Sequence, residues 1–329
     1  MSAIANVAVH SSQFPEQIRR DLLESLRSRK IAHKFHYDSV KQTQKWLALH
    51  QQYSPSRADQ NCRDIYERSF ELAAKSINSE KLHLIGLGCG GGQKDSRLLT
   101  VLKRRATDLF YTPCDVASAM VLTARHSALA VLPEKRISPF ACDLQTATDL
   151  PSALNLPHFR RIRRIITFFG MIPNFEPNDI LPKLASLLRP NDVLLFSANL
   201  APGTDYAAGL KRILPQYDNA LTRDWLLTFL LDLGISTGDG ALLFKVEDAP
   251  GDLKRIVVSF RFKRPRQIKL DDEPFAFKTG ESVRLFFSYR YTPDRIRTSL
   301  AAHNLEIQEE WIAESGEEGV FLCSRNTEK

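Results

Sequence analysis

Between residues 82 and 199 the apolar positions cluster into short continuous runs, LHLIGLG, LFYTPCD, ISPFACD, RIITFFG and DVLLFSAN. Strand-length apolar runs alternating with amphipathic segments predict a mostly parallel sheet with helices on both faces. Strands are expected at 109–115, 136–143, 164–170 and 192–199, and helices at 60–77, 97–107, 118–131 and 179–188. Upstream, residues 14–29 carry Leu22, Leu23 and Leu26 on one helical face. Phe35, His36, Tyr37, Trp46 and Tyr53 then bracket a second helix before Pro55, and these aromatics read equally as core or as pocket lining. After Leu200 the alternation stops. Two helical stretches, 204–214 and 221–233, have Tyr217 and Asp218 between them. LLFKVED and RIVVSFRFKR follow, joined by the turn Pro250-Gly251-Asp252, then a strand at 282–291, a helix at 293–303 and two closing strands around a glycine turn.

The chain is organised around Leu82 to Leu99, LHLIGLGCGGGQKDSRLL. An apolar strand runs into Gly88, Gly90, Gly91 and Gly92, and a helical pattern follows. Glycines let the backbone take positive φ and approach a ligand closely, while the first amides of the helix present donors. A phosphate loop would need Ser or Thr after its Lys, but Lys94 precedes Asp95. A dinucleotide fingerprint is matched formally by Gly86, Gly88 and Gly91, with Asp115 as the ribose-binding acid. S-adenosylmethionine (AdoMet) asks for acids at two successive strand ends, and Asp115 and Asp143 provide both. That pairing favours AdoMet over the dinucleotide, and over a glycine turn without a ligand. The loop Gly170-Met171-Ile172-Pro173-Asn174-Phe175 falls at the same sheet edge and reads either as an ordinary turn or as a site for an amide that donates and accepts.

A chain of 329 residues, 43% hydrophobic, can bury a full core in one large or two medium domains. Its apolar runs are of strand length, far short of the roughly 18 residues of a membrane span, and no basic-then-apolar leader opens it. A cytoplasmic protein is expected, with neither a membrane nor a nucleic-acid partner, and a monomer. Cys62, Cys89, Cys114, Cys142 and Cys323 form no Cys-x-x-Cys pair and read as reduced, small buried residues; no metal is expected. The net charge of +7 leaves nucleic acid open. Its clusters, Arg160, Arg161, Arg163 and Arg164, Lys103 to Arg105, and RFKRPRQIK from Arg261, are scattered and lack interleaved aromatics, which favours solvated edges.

The stretches KFHYDSV, QYSPSRAD, LGCGGGQK, PCDVASA, ACDL, FFGMIPNFEP, LLRPNDVLL, QYDN and FFSYRYTP, in this order and over nearly the whole length, resemble the family of the ergothioneine-pathway histidine Nα-methyltransferase. The resemblance implies an α/β fold: a class I, Rossmann-like methyltransferase sheet (59–200 plus 290–329) with a second, inserted α+β substrate-binding domain (201–289 plus 1–58). It implies that Tyr37, Gly88, Gly90, Lys94, Asp115, Asp143 and Leu144 border AdoMet. It further implies that Tyr53, Gly170, Asn174 and Tyr217 surround the α-amine and carboxylate of an amino-acid substrate, with Asn174, Tyr53 and Tyr217 orienting the amine for methyl transfer. The departures define this chain. Ser288 is kept, but Phe286 stands where the family reads imidazole with a Glu, and a buried Phe would leave the imidazole N–H unsatisfied at roughly 1–3 kcal/mol. Gly86 replaces an acid, Lys41-Gln42 replaces a Gly-Ser pair, and the Asn174 loop is one residue shorter. The expectation is methyl transfer to the α-amine of a small amino acid or related amine other than histidine. The alternatives are a histidine methyltransferase, a weakly active or non-catalytic AdoMet-binding relative and, more distantly, an RNA or protein methyltransferase.

Overall fold

The computed structural model describes residues 4–77, 79–155 and 162–326. The chain divides into two compact units: a larger one of residues 1–13, 55–200 and 291–329, and a smaller one of residues 14–54 and 201–290. In chain order the strands are β1 (Ala8–Val9), β2 (Lys81–Leu87), β3 (Asp108–Asp115), β4 (Phe140–Ala141), β5 (Arg163–Phe169), β6 (Val193–Asn199), β7 (Gly240–Ala249), β8 (Leu253–Phe262), β9 (Arg266–Leu270), β10 (Glu273–Phe277), β11 (Ser282–Arg290), β12 (Leu305–Ile312) and β13 (Glu318–Arg325).

The larger unit is built on one sheet in the order β1-β4-β3-β2-β5-β6-β13-β12. Strands β1 to β6 are mutually parallel, and β13 runs antiparallel to both β6 and β12. Parallel pairing needs crossovers, which the helices Gln60–Ser76, Gln93–Lys103, Ser118–Ala128 and Pro177–Leu187 supply. The first two of these helices turn their apolar faces to the sheet in a core containing Phe70, Leu84, Leu98, Tyr111 and Ile165. The strand order reverses between β2 and β5, so the carboxyl ends of these two central strands form the crevice where α/β sheets bind ligands.

Three details differ from the periodicity reading. The helix expected from residue 97 starts at Gln93, because Gly92 turns left-handed (φ 73°) and the helix begins at once. The strand expected at 136–143 shrinks to Phe140–Ala141: Glu134–Arg136 closes a 3-10 turn and Ile137 makes a single bridge to Tyr111. Residues 4–13, grouped by the sequence reading with the substrate-binding part, lie with the sheet, since Ala8 and Val9 pair with Phe140 and Ala141. Of the basic run, Arg160 and Arg161 lie outside the described residues. Arg164 is no solvated edge but is buried at 1% exposure, its Nη2 2.5 Å from Asp192.

The smaller unit joins helices Pro15–Ser28, Val40–Tyr53, Tyr206–Tyr217 and Ala220–Asp232 to the antiparallel sheet β11-β8-β7 and a separate β9–β10 hairpin. That hairpin occupies the basic stretch read from Arg261, where Arg264 and Arg266 reach Asp239. The unit has its own core, with Leu26, Phe35, Trp225, Phe229, Phe260 and Phe262. Gln42 holds the start of the second helix in place. It closes a capping box with Ser39, and its Nε2 donates to the Phe35 carbonyl at 2.6 Å. Among the described residues no helix is long and apolar enough to cross a membrane.

Candidate active site

The glycine turn after β2 is tied to the end of β3. Gly88, Gly90 and Gly92 all have positive φ, which brings the Gly90 amide to Asp115 Oδ2 at 3.0 Å. The Ala117 amide donates to the other oxygen at 3.1 Å. Asp115 is 8% exposed: burial pushes its carboxyl up, and the amides of Gly90, Ala117 and Val116 pull it back towards the ionised form. A carboxylate offers about four lone-pair positions, so it can accept further bonds from vicinal hydroxyls. A Cβ on Gly88 would lie 2.5 Å from Met171 Cγ, so the turns after β2 and β5 touch where the strand order reverses, and only glycine fits.

Asp143, two residues beyond β4, is held from two sides. Its amide donates to Ser12 Oγ at 3.0 Å, and the Gln145 amide donates back to Asp143 Oδ1 at 2.9 Å. Ser12 is itself 2.9 Å from His10 Nδ1, whose Nε2 is 2.8 Å from Asp149. Lys183 Nζ donates to the carbonyls of Leu144 (3.0 Å) and Gln145 (2.5 Å). The sequence reading named Asp143 and the buried Leu144; it missed Ser12 and Lys183, which fix that loop in place.

Lys94 is engaged away from the turn's amides. Its ammonium donates to Tyr66 Oη at 2.7 Å, sits 4.1 Å from that ring's centroid and lies 3.4 Å from Glu318 Oε1. Tyr66 also donates to Glu318, and its oxygen is 2.9 Å from Ser197 Oγ, which accepts the Gly170 amide at 2.8 Å. A polar chain thus runs from β13 through the first crossover helix to Gly170, which has φ 66° and open space where a Cβ would be. Asn174 ends a 3-10 turn, Ile172–Asn174, and is half-buried. Neither Tyr66 nor Glu318 carried a motif, and so neither was found.

Beneath the turn lies a carboxylate that the sequence reading used only to reject a phosphate loop. Asp95 is 3% exposed and accepts from Tyr111 Oη (2.7 Å) and Thr167 Oγ1 (2.8 Å). Burial raises its pKa to about 6, against the opposing pull of those two hydroxyls. An ideal Cβ on Gly86 would fall 2.0 Å from Asp95 Oδ2. The acid absent from strand position 86 is therefore replaced in space by one from the following helix.

The remaining candidates belong to the smaller unit. Tyr53 is the last residue of its helix and 44% exposed. Tyr37 packs edgewise on Trp46 and at a tilt on Trp225, with ring centroids 5.9 and 5.5 Å away. Tyr217 closes the helix Tyr206–Tyr217 rather than lying beyond it. A bulge in β11 between Arg284 and Phe286 leaves the Leu285 carbonyl to accept from His36 Nε2 at 2.6 Å. Past the bulge, Phe286 and Ser288 share a face. Phe286 is 7% exposed, 5.0 Å from the His33 ring, 5.7 Å from Trp225 and 6.3 Å from Tyr217. Ser288 Oγ lies 2.8 Å from Tyr217 Oη, and Arg290, unremarked in the sequence, brings Nη2 (2.9 Å) and Nε (3.2 Å) to the same phenol.

The larger unit's groups fit AdoMet: acids at two neighbouring strand ends, a glycine turn in left-handed conformation, and clear space beside Gly170. Gly88, Gly90, Asp115, Asp143 and Leu144 would hold it. When bound, AdoMet supplies an electrophilic methyl on sulfur.

An N-methyltransferase of Aspergillus flavus, imqF, is 24% identical over 275 residues, spanning 82% of this chain and 73% of its own. Among solved structures, a putative methyltransferase from Thermobifida fusca is similar over 92% of this chain and 97% of its own, at 11% identity and a TM-score of 0.48. The N-methyltransferase NodS of Bradyrhizobium japonicum, solved with S-adenosyl-L-homocysteine, is similar over 86% and 99%, at 10% identity and a TM-score of 0.44. The family described as histidine-specific, SAM-dependent methyltransferases matches residues 18–230 and 248–325, and the chain belongs to that family.

Proposed function

We propose that this AdoMet-dependent N-methyltransferase methylates the α-amine of a small amino acid or related amine, and that histidine is not its substrate. The observation that carries this reading is the environment of Phe286. Its ring is enclosed by His33, Trp225 and Tyr217, and no carboxylate stands at the position where the family resemblance calls for an imidazole-reading Glu. An imidazole N–H placed there would lose its hydrogen bond to water without a replacement. An aromatic or otherwise flat side chain would instead bury apolar surface against the same rings. The larger unit holds the cofactor in this reading, and the smaller one reads the side chain.

Methyl transfer to nitrogen needs an unprotonated amine with its lone pair in line with the methyl group. The N–CH3 bond forms as the S–CH3 bond breaks, the bonding pair stays on sulfur, and the ammonium product gives its extra proton to solvent. Asn174 suits such an amine because an amide orients it by hydrogen bonds without a full negative charge that would keep it protonated. Support for an N-methyl product comes from imqF, itself an N-methyltransferase. The test is incubation of the purified protein with AdoMet and a mixture of amino acids that includes histidine, tyrosine and tryptophan, followed by mass spectrometry. A mono- or polymethylated amino acid other than histidine is the expected product. Methylhistidine as the main product would overturn the reading of Phe286. Absence of any product despite calorimetric binding of S-adenosylhomocysteine would favour a non-catalytic relative.

A further inference from the structure

We infer that Arg290, Tyr217 and Ser288 form a one-way hydrogen-bond relay that ends in an O–H donor, so the ligand atom opposite Ser288 must be a hydrogen-bond acceptor. The inference rests on the proposal that the smaller unit reads the substrate.

The direction follows from the donors. Arginine is always protonated and only donates. Its Nε and Nη2 lie 3.2 and 2.9 Å from the Tyr217 oxygen, and the guanidinium carbon is 5.3 Å from the ring centroid. With a cation's two N–H groups on its oxygen, the phenol proton turns away from Arg290, and Ser288 Oγ stands 2.8 Å off to receive it. Ser288 then accepts from Tyr217, and its own proton points elsewhere. Among the described residues Tyr217 is the sole hydrogen-bond partner of the Ser288 side chain, which is 3% exposed. A buried hydroxyl proton without an acceptor is unfavourable, and a ligand lone pair would satisfy it. Two residues apart in the regular strand beyond the bulge, the Ser288 hydroxyl and the Phe286 ring fall on one face of β11, so the acceptor is met beside an aromatic wall. Arg290 is 5% exposed, and its positive charge at the base of the relay favours an oxygen that carries negative charge or polarises towards it. Two sources offer such an oxygen: a hydroxyl or carbonyl on the substrate's side chain, and its α-carboxylate. Arg290 is thus a positioning residue that sets the polarity of Ser288, and Ser288 is the contact.

Titration calorimetry in the presence of saturating S-adenosylhomocysteine tests this with L-tyrosine, L-phenylalanine, L-tyrosinamide and L-histidine as probes. A side-chain acceptor predicts tyrosine binding roughly tenfold or more tightly than phenylalanine, and an α-carboxylate predicts equal binding of these two with a comparable loss for tyrosinamide. In either case Ser288→Ala should erase that one difference and leave the weaker probe unchanged. Tyr217→Phe and Arg290→Met should erode the same difference, whereas loss of packing alone would weaken all probes together. Affinities unaltered by Ser288→Ala for every probe would overturn the relay. If Phe286→Ala still changed binding in that event, the substrate-reading role of the smaller unit would stand; if neither variant had an effect, that role would fall as well.

Discussion

The carboxylate of Asp95 occupies the space that a side chain on Gly86 would need, with Oδ2 2.0 Å from an ideal Cβ at that position. Glycine in the strand and acid on the helix are one arrangement, since position 86 can gain no side chain while Asp95 keeps its place. Gly86→Asp should lower stability by about 3 kcal/mol or more, through overlap and two like charges in a buried site. The pair Gly86→Asp with Asp95→Ala should recover most of that loss in a denaturant melt, since the acid moves back onto the strand. No recovery in the double variant would show that the turn requires its acid from the helix.

Asp95 also makes stability depend on pH. Its folded-state pKa of about 6 lies above the usual carboxylate value because the buried site disfavours the charge. The folded state holds this proton more tightly than the unfolded chain, so the contribution is complete below about pH 4 and is lost as the pH rises through about 6. The free energy at stake is about 3 kcal/mol, set by the gap between about 6 and the usual carboxylate value of about 4. Asp95→Asn should flatten the pH dependence of the melting temperature between about pH 4 and 7, measured by differential scanning calorimetry. An unchanged slope would mean that the carboxylate is ionised throughout.

Cofactor and amine sites should separate genetically. Asp115→Ala removes the acid that accepts the Gly90 and Ala117 amides and is expected to reduce S-adenosylhomocysteine binding below calorimetric detection. Asn174→Ala should leave that affinity within about twofold, on the scale of an uncoupled distant site, and remove methylated product. Retained turnover in Asn174→Ala would place the amine elsewhere.

Ser12→Ala acts at a distance of one hydrogen bond. It takes the acceptor from the Asp143 amide, leaving a buried N–H at a cost of about 1–3 kcal/mol. The expected result is a raised KM for AdoMet with kcat little changed and a native circular dichroism spectrum. An unaltered KM would mean that Asp143 is positioned without the serine.

Phe286→Glu should shift preference towards histidine in a competition of amino acids read by mass spectrometry. If tyrosine, tryptophan and histidine keep their ranking, Phe286 does not line the side-chain pocket.

The parallel sheet was legible because runs such as LFYTPCD and RIITFFG are mostly apolar without strict alternation, as strands covered on both faces are. The placing of Asp115 and Asp143 at the ends of neighbouring strands was legible for a related reason, since both close such runs. Contacts between residues far apart in the chain were not. Tyr66, Ser197 and Glu318 look like ordinary helix and strand residues until β13 inserts beside β6. Arg164 read as one of a row of surface charges, because its partner Asp192 lies a helix away. β4 shortened because Arg136 ends a 3-10 turn and Ile137 makes only a single bridge to Tyr111, so ladder pairing is confined to Phe140–Ala141.

The division of the chain into interleaved segments also governs how it can fold. In the smaller unit the Ile31 amide donates to the Arg284 carbonyl, and the Arg284 amide donates to that of Arg29, so this unit's first and last segments depend on each other. In the larger unit β6 waits for β13 across the whole intervening stretch. Contacts separated by roughly 100–250 residues require large loops to close before they contribute, which slows folding and prolongs exposure of apolar surface. Neither unit can be completed on a growing chain until its last segments have emerged, so folding is largely post-translational, and fragments ending near residue 200 are expected to aggregate rather than persist as a separate cofactor-binding domain.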